Sequence, residues 1–262
     1  MTTLKPIFKN KLSQLFHGDT LEVMQTLKDE SFDLIFADPP YNLSNDGFTC
    51  QNGKMVSVNK GKWDKSKGLE LDLDFHEKWI VECHRLLKPN GTIWISGTYH
   101  SIYLCGYILQ KYKWHILNDI SWFKPNASPN LSCRMFTASH ETLLWAKKDK
   151  KAKQTFNYAY LKGQDWGDDF LKKPNKQMRS VWSIPTTPKK EKIYGKHPTQ
   201  KPKELLKRII LASSEEAEIV LDPFCGSGTT GVVANENKRT FVGIDNNIEY
   251  LRDIAYKRLK GF

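Results

Sequence analysis

One glycine-rich stretch decides the fold of this chain: Ile219-Val220-Leu221-Asp222-Pro223-Phe224-Cys225-Gly226-Ser227-Gly228-Thr229-Thr230-Gly231. Its apolar beginning predicts a buried strand, and a helix is expected to follow the loop. The glycines at 226, 228 and 231 have the G-x-G-x-x-G spacing, which lets the backbone approach a ligand at a helix N-terminus. Asp245 follows Gly226 by 19 residues, close to the spacing of a ribose-binding acid. The alternative is an acid that merely ends a strand.

The position of this glycine loop (Asp222–Gly231) predicts where the rest of the sheet lies. Only about 31 residues follow Gly231, and a dinucleotide-binding half needs more strands than one βαβ unit provides. We therefore expect the other strands to come from residues before the loop. This order argues against an ordinary nicotinamide oxidoreductase, in which the glycine fingerprint normally begins the domain.

A second motif, Asp38-Pro39-Pro40-Tyr41, follows the apolar run Leu34–Ala37. That run predicts a buried strand, so Asp38 is expected at its carboxyl end, where open α/β sheets bind their ligands. The two prolines fix φ and remove two backbone donors. The resulting proline turn (Asp38–Tyr41) presents carbonyl oxygens, a carboxylate and an aromatic ring, which suit a flat ligand with an exposed NH2 group. A plain exit from a strand is the alternative.

Together, the two motifs resemble those of the amino-group DNA methyltransferases that use S-adenosylmethionine. These enzymes have a D/N/S-P-P-Y/F catalytic turn and a D-P-F-x-G-S-G-T cofactor loop. Here the turn comes first and the loop about 180 residues later, an order that resembles the permuted β group; the resemblance extends from about His17 to Tyr250. It implies an α/β fold with a seven-stranded Rossmann-like methyltransferase sheet, mostly parallel with one reversed edge strand, a circularly permuted motif order and a basic recognition insert. The strand candidates are Gln14–Phe16, Asp33–Ala37, Thr92–Ser96, Ile116–Phe123, Glu141–Ala146, Glu218–Leu221 and Thr240–Ile244.

The resemblance also assigns roles to residues. It implies that Asp38, Pro39, Pro40 and Tyr41 are catalytic, with Asp38 and the Pro39 carbonyl binding the target amine and Tyr41 stacking on the base. The implied cofactor is S-adenosyl-L-methionine, with S-adenosyl-L-homocysteine as product and no metal. The residues expected to bind it are Asp19, His197, Thr199, Gln200, Lys201, Asp222, Pro223, Phe224, Gly226, Ser227, Gly228, Thr229, Thr230 and Asp245.

Two of these assignments have simpler alternatives. Asp19 and Glu22 have capping-box spacing, so Asp19 can be only the N-cap of a helix. The segment 197–202 can be a plain entry loop, because Pro202 suits the first turn of a helix that runs to Ser213. Cys225 is interpreted as a small packed residue, because the C5-cytosine enzymes carry their nucleophile in a Pro-Cys dipeptide and this chain has none.

The net charge of +11 is concentrated in one region. Residues 147–203 hold 16 Lys and Arg against 5 Asp and Glu, and the remaining residues hold 24 of each. Such a basic patch with interleaved aromatic residues is typical of a nucleic-acid interface; a solvated lysine-rich insert is the alternative. The aromatic residues are Phe156, Tyr158, Tyr160, Trp166, Phe170, Trp182 and Tyr194.

The predicted organisation has three parts. Residues 1–146 form the catalytic half of the α/β domain, 147–196 a basic target-recognition insert, and 197–262 the cofactor-binding half. The long stretch 42–71, rich in Gly, Asn and Lys, is interpreted as a flap beside the target base.

Composition narrows the setting. The sequence has no apolar run near the ~20 residues that span a bilayer, and residues 1–11 lack the apolar core of a signal peptide. The five cysteines form no C-x-x-C pair, which argues against a metal site or a disulfide framework. We therefore expect a cytoplasmic bacterial protein with no membrane partner.

The leading hypothesis is a site-specific DNA adenine-N6 methyltransferase that acts on a flipped-out base. The alternative is a cytosine-N4 enzyme, although that subgroup usually has Ser where this chain has Asp38. A DNA-binding protein that has lost catalysis is a third hypothesis, and the intact Asp38 and glycine loop argue against it. The partner expected on charge is double-stranded DNA. The family resemblance adds a homodimer and a cognate restriction endonuclease that acts on the same site.

Overall fold

The computed structural model describes residues 4–42, 48–51, 54–57, 64–166 and 175–262. Its strands are β1 (Phe8–Lys9), β2 (Ser13–His17), β3 (Phe32–Ala37), β4 (Phe48–Gln51), β5 (Lys54–Ser57), β6 (Leu87–Gly97), β7 (His115–Phe123), β8 (His140–Lys147), β9 (Val181–Ser183), β10 (Ile219–Asp222) and β11 (Thr240–Asp245). Its α-helices are α1 (Thr20–Thr26), α2 (Leu69–Leu86), α3 (Ile102–Lys111), α4 (Tyr158–Gly163), α5 (Lys203–Ser213), α6 (Thr229–Glu236) and α7 (Tyr256–Leu259). A 3-10 turn spans Lys189–Glu191, and a π-helical segment, Tyr250–Ala255, leads into α7.

Within the described residues the main sheet has nine strands, so the predicted number of seven was wrong. Their order is β1-β2-β11-β10-β3-β6-β8-β7-β9. The seven predicted strands are all present, and β1 and β9 extend the sheet at its two edges. β1 forms because the Asn10 side chain accepts hydrogen bonds from the backbone of Leu12 and Ser13, at 3.0 and 2.6 Å, and turns the chain back along β2. β9 pairs with β7, and its Trp182 packs against Trp94 in the core.

The sheet is mostly parallel, as predicted, but two of its described strands are reversed: β1 at one edge, antiparallel to β2, and β8 inside the sheet. β8 runs antiparallel to both of its neighbours, β6 and β7, and β7 and β9 lie beyond it. The connection 124–139 contains no helix, which favours antiparallel pairing of β7 with β8. β9 is the outermost strand beside β7. It comes from the basic region, and its pattern was too short to be recognised.

Helices cover both faces of the sheet. Along β3, Leu34 and Phe36 pack with buried residues of α5 and α6, whereas Ile35 and Ala37 pack with those of α2 and α3. Burial on both faces explains why this strand is a continuous apolar run and not an alternating pattern.

The topology brings the two motifs together. β10 pairs in parallel with β3, with Val220 opposite Leu34 and Leu221 opposite Ile35. The proline turn and the glycine loop therefore follow the carboxyl ends of two neighbouring strands and lie at the same end of the sheet. Because β8 is reversed, its first residues, His140 and Glu141, lie at this same end of the sheet.

The predicted flap at 42–71 lies partly outside the described residues. Of its described part, β4 and β5 form a separate antiparallel hairpin, and Leu69 already belongs to α2. In the described parts of the chain, none of the helices has the length and apolar character needed to cross a membrane.

Candidate functional site

A cavity of about 470 Å³ lies at the carboxyl ends of β3 and β10, where the two motifs meet. Its volume is in the range of small-molecule and cofactor sites. Of the predicted site residues, it is lined by Asp19, Asp38, Pro40, His197, Thr199, Gln200, Lys201, Asp222, Pro223, Phe224, Gly226, Ser227, Thr229, Thr230 and Asp245. Three predicted residues are not part of the lining: Pro39 and Tyr41 are buried behind it, and Gly228 is the N-cap of α6.

The glycine loop needs glycine for its backbone. Gly226 has φ +47° and Gly228 has φ +71°, conformations that residues with a side chain rarely adopt. A Cβ atom on Gly226 would also lie 2.8 Å from Nε2 of His197. The loop is therefore packed directly against the segment 197–201, which the family resemblance predicts to lie beside the cofactor.

Asp222 holds the glycine loop in place. Its Oδ1 accepts from the backbone N–H of Phe224 at 3.0 Å, and its Oδ2 accepts from the hydroxyl of Thr230 at 2.5 Å. Burial raises the pKa of Asp222 from its usual 3.8 to about 7, against the opposing effect of these hydrogen bonds. Both oxygens of this acid therefore serve the loop itself.

Asp245 fastens the other side of the loop. Its Oδ2 accepts from the backbone N–H of Gly226 at 2.8 Å, and its Oδ1 accepts from that of Asn247 at 2.8 Å. Burial raises the pKa of Asp245, and these two backbone donors lower it. A carboxylate has about four lone-pair sites, so further acceptor capacity remains for hydroxyl groups of a ligand in the cavity.

Asp19 and Gln200 line the same cavity in different ways. Asp19 caps α1 by accepting from the N–H groups of Leu21 and Glu22, at 2.9 and 3.3 Å, so its capping role is confirmed. The side-chain nitrogen of Gln200 donates to the Glu191 carbonyl at 3.0 Å, while its Oε1 is buried without a hydrogen-bond partner among the described residues. Buried acceptors without a donor are uncommon in folded proteins.

The proline turn belongs to a network of buried charges. Oδ1 of Asp38 accepts from the hydroxyl of Tyr41, and Oδ2 accepts from Nζ of Lys201, each at 2.5 Å. Lys201 also lies 3.7 Å from Oε2 of Glu141, and Lys124 donates to the other oxygen of Glu141. We call these five residues the charge cluster; it contains two carboxylates and two ammonium groups.

Burial and neighbouring charges shift the pKa values of the charge cluster in opposing directions. Burial raises the pKa of Asp38, and the adjacent Lys201 opposes that shift. Burial lowers the pKa of Lys201, but Asp38 and Glu141 outweigh it, so the pKa lies above its usual value. Burial alone would raise the pKa of Glu141, yet Lys201 and Lys124 hold it below its ordinary range. Each charge is tolerated because an opposite charge compensates for its lost hydration.

Sequence reasoning missed Glu141, Lys124 and Ser96 as parts of the site. Ser96 lies 2.7 Å from the Tyr41 hydroxyl, and Glu141 accepts from that hydroxyl at 3.1 Å. One signal was available: Glu141 is the sole acid in an otherwise apolar predicted strand. Its significance depends on the reversal of β8, which places the beginning of that strand beside the ends of the others.

The aromatic residues of the basic region divide into two groups. Trp166 and Trp182 are buried and enclose the guanidinium group of Arg208, at 5.0 and 5.6 Å from their ring centroids. Phe170 lies outside the described residues. The other four are exposed at the surface: Phe156, Tyr158, Tyr160 and Tyr194.

Comparison with protein families gives a match over most of the chain. A family model described as DNA methylase, of the N6/N4 type, matches residues 32–257. The type II methyltransferase M2.DpnII of Streptococcus pneumoniae is 51% identical over 257 residues, which are 98% of this chain and 92% of that protein.

Solved structures agree with the architecture. The complex of M1.HpyAVI with S-adenosylmethionine has a TM-score of 0.65 and 29% identity, covering 95% of this chain and 99% of its own. The cytosine-N4-specific PvuII DNA methyltransferase has a TM-score of 0.71 over 98% of this chain and 93% of its own. At 18% identity, the second likeness concerns the fold alone.

Proposed function

The chain belongs to the N6/N4 family of DNA methylases, and we propose that it is a site-specific adenine-N6 methyltransferase. It transfers the methyl group of S-adenosylmethionine to a flipped-out adenine in duplex DNA, as the modifying enzyme of a restriction-modification system. The single observation that carries this proposal is the shared cavity of Asp38 and the glycine loop. Family membership establishes a DNA methyltransferase; the choice of adenine rests on Asp38, where the cytosine-N4 subgroup usually has Ser.

The catalytic task at the proline turn is to activate a poor nucleophile. The lone pair of an exocyclic amine is delocalised into the base, and hydrogen bonds from NH2 to Asp38 and to the Pro39 carbonyl draw the nitrogen towards tetrahedral geometry. The carboxylate then stabilises the positive charge that develops on nitrogen during methyl transfer. Tyr41 holds this carboxylate through its hydroxyl; its ring is buried and does not line the cavity, so the expected stacking on the base is not part of the proposal. Removing the base from the duplex costs a few kcal/mol.

The cofactor site is assigned to the glycine loop and its neighbours. S-adenosylmethionine, when bound, supplies a methyl group already activated by a sulfonium leaving group. The loop from Asp222 to Thr230 is proposed to hold its amino-acid end, Asp245 its ribose hydroxyls, and Asp19 and residues 197–200 its remaining surface. Lys201, which the family resemblance also places there, pairs with Asp38 in this structure. The spare acceptor capacity of Asp245 and its place in the cavity lining support this fit. Alignment of the reacting groups in such a site supplies several kcal/mol.

The remaining parts of the proposal concern organisation and partners. Residues 1–146 and 197–262 form the two halves of one α/β domain, and the basic segment (147–196) recognises the DNA sequence. The motif order supports a permuted β-group enzyme, with the MboII adenine methyltransferase as a near relative. We further propose a homodimer in the bacterial cytoplasm and a separate endonuclease that acts on the same site.

Analysis of labelled product DNA tests the proposal. Duplex DNA is incubated with the protein and S-adenosylmethionine labelled in its methyl group, and the DNA is then digested to nucleosides. The proposal predicts label in N6-methyladenine. Label in N4-methylcytosine would replace adenine by cytosine as the substrate, and unlabelled DNA would contradict methyl transfer to DNA altogether.

A further inference from the structure

The carboxylate proposed to bind the target amine is already occupied. Tyr41 binds one oxygen of Asp38, and the ammonium group of Lys201 binds the other at 2.5 Å. Lys201 is 7% exposed and lines the cavity. Each carboxylate oxygen has a second lone pair, so a target amine takes the position of this ammonium group when it approaches the same oxygen along the same direction.

We propose that Lys201 is a displaceable stand-in for the target amine, and that Glu141 is the positioning residue that receives it. This inference rests on the proposed function and deepens it. An ammonium group resembles the target nitrogen in its N–H donors, and its positive charge resembles the charge that develops during methyl transfer. A site that holds Lys201 on Asp38 is thus already arranged for the transition state.

The geometry provides a destination for the displaced ammonium group. Nζ of Lys201 lies 3.7 Å from Oε2 of Glu141. To admit the amine it must move by about 3 Å, the contact distance of two nitrogen atoms, and a move of that length can end within hydrogen-bond distance of Oε2. In its present position Nζ also lies 5.0 Å from the centroid of the Tyr41 ring, within cation–π range. The lysine charge therefore remains compensated when the amine takes its place.

Two other roles for Lys201 make different predictions. A permanent partner of Asp38 would assist the amine, so its removal would weaken amine binding. A cofactor ligand would lower the affinity for S-adenosylmethionine when removed and leave amine binding unchanged. A stand-in competes with the amine, so its removal strengthens amine binding.

The experiment measures how much the amine contributes to DNA binding. Labelled duplexes carry the methylated site, mapped beforehand with wild-type protein, and contain either adenine or purine without the 6-amino group at the target position. The dissociation constant of each is measured with S-adenosylhomocysteine present, which prevents turnover. The ratio of the two dissociation constants, compared between variants, measures how much the amino group contributes to DNA binding.

Lys201→Met should raise this preference for the amine about tenfold, because the apparent affinity is no longer reduced by the fraction of molecules in which Lys201 occupies Asp38. Affinity for S-adenosylmethionine should stay within about twofold. The matched control is Lys203→Met, since Lys203 is a nearby lysine that pairs with Glu236 outside the cavity. A lower or unchanged amine preference in Lys201→Met would overturn the proposal.

Glu141→Gln supplies a second and opposite test. The displaced lysine then loses its carboxylate, so the amine preference should fall about threefold in the wild-type background. In the Lys201→Met background the same change should have little effect. Equal effects of Glu141→Gln in both backgrounds would show that Glu141 does not act through Lys201, and would contradict the transfer between carboxylates.

Different measurements would refute the proposed function and this inference. Mapping with wild-type protein decides the methylated base before any variant is compared. If that base is cytosine, adenine methylation is refuted, and the same comparison proceeds with cytosine against 2-pyrimidinone, which lacks the 4-amino group. The expected direction of each variant is unchanged.

Discussion

The proline turn and the glycine loop end neighbouring strands of one sheet, yet different interactions hold them in place. The glycine loop is secured mainly by its own backbone and by two acids at nearby strand ends, Asp222 and Asp245. The proline turn depends on side chains from distant parts of the chain, above all Lys201 and Glu141. Local hydrogen bonds thus build the predicted cofactor site, and long-range charge pairing builds the predicted catalytic site.

This difference indicates which region is more sensitive to a change of charge. Removing one partner from a buried ion pair costs about 3–5 kcal/mol, because the other charge is left uncompensated. Removing one hydrogen bond in a loop costs about 1 kcal/mol. We therefore expect substitutions in the proline turn to have larger effects than substitutions in the glycine loop.

The largest effect is expected for Asp38→Ala. Methyl transfer should fall by about 10³-fold or more, because the developing charge on nitrogen loses its carboxylate. Binding of S-adenosylmethionine, measured by calorimetry, should persist because the glycine loop is intact. Asp253→Ala, at a largely exposed acid of the π-helical segment, is the control. Unchanged turnover in Asp38→Ala would remove the catalytic assignment.

A smaller effect is expected for Gly226→Ala, which attacks the loop alone. The left-handed conformation costs a residue with Cβ roughly 1–2 kcal/mol, and the new methyl group meets the ring of His197. Affinity for S-adenosylmethionine should fall about tenfold. Gly163→Ala is the control, because a Cβ at that position of α4 meets open space. Equal cofactor affinity in both variants would show that the loop geometry is not needed.

Replacing charged residues outside both regions should change the affinity for DNA and leave the affinity for S-adenosylmethionine unchanged. Lys189 and Lys190 are exposed within the basic segment, and their joint replacement by Gln should make the salt dependence of DNA affinity shallower by up to about 2 in log–log slope. Fluorescence anisotropy at several salt concentrations measures this slope. Gln at the exposed Lys5 and Lys9 is a control of equal charge. A flat salt response in the wild type would reassign the basic segment.

A separate prediction concerns the pH dependence of stability at Asp222. Its pKa of about 7 in the folded chain exceeds the usual 3.8, so folding takes up a proton there between about pH 4 and 7. The stability contribution of this group is therefore greatest at low pH and declines as the pH rises through that window.

Asp222→Asn removes this titration. Its free energy of unfolding, from urea denaturation at several pH values, should decline less between pH 4 and 7 than that of the wild type. The same comparison with Asp253→Asn should give a curve parallel to the wild type. Parallel curves for Asp222→Asn would show that Asp222 stays ionised throughout.

Much of the fold was predictable because its strands are buried on both faces. Continuous apolar runs such as Leu34–Ala37 identify central strands without any knowledge of their neighbours. β1 and β9 could not be found this way: β1 has two residues, and β9 has three and forms through long-range packing of Trp182. The inner position of β8 depends on pairing partners, which local patterns do not encode.

The site was predictable to the extent that its geometry is local. Glycines at 226 and 228 indicate a backbone that only glycine adopts readily, and the positive φ angles at both positions confirm this. The partners of Asp38 were not predictable, because Lys201 and Glu141 lie 163 and about 100 residues away along the chain. Their convergence follows from the reversal of β8 and from the packing of the segment 197–201 against the glycine loop.

The most direct test of the account is a structure of the protein with S-adenosylmethionine bound. The account predicts that the sulfonium methyl group points across the cavity to the space beside Asp38, where a target nitrogen could stand about 3 Å from both the methyl carbon and the carboxylate. A cofactor that binds away from the glycine loop, or whose methyl group faces away from Asp38, would contradict it.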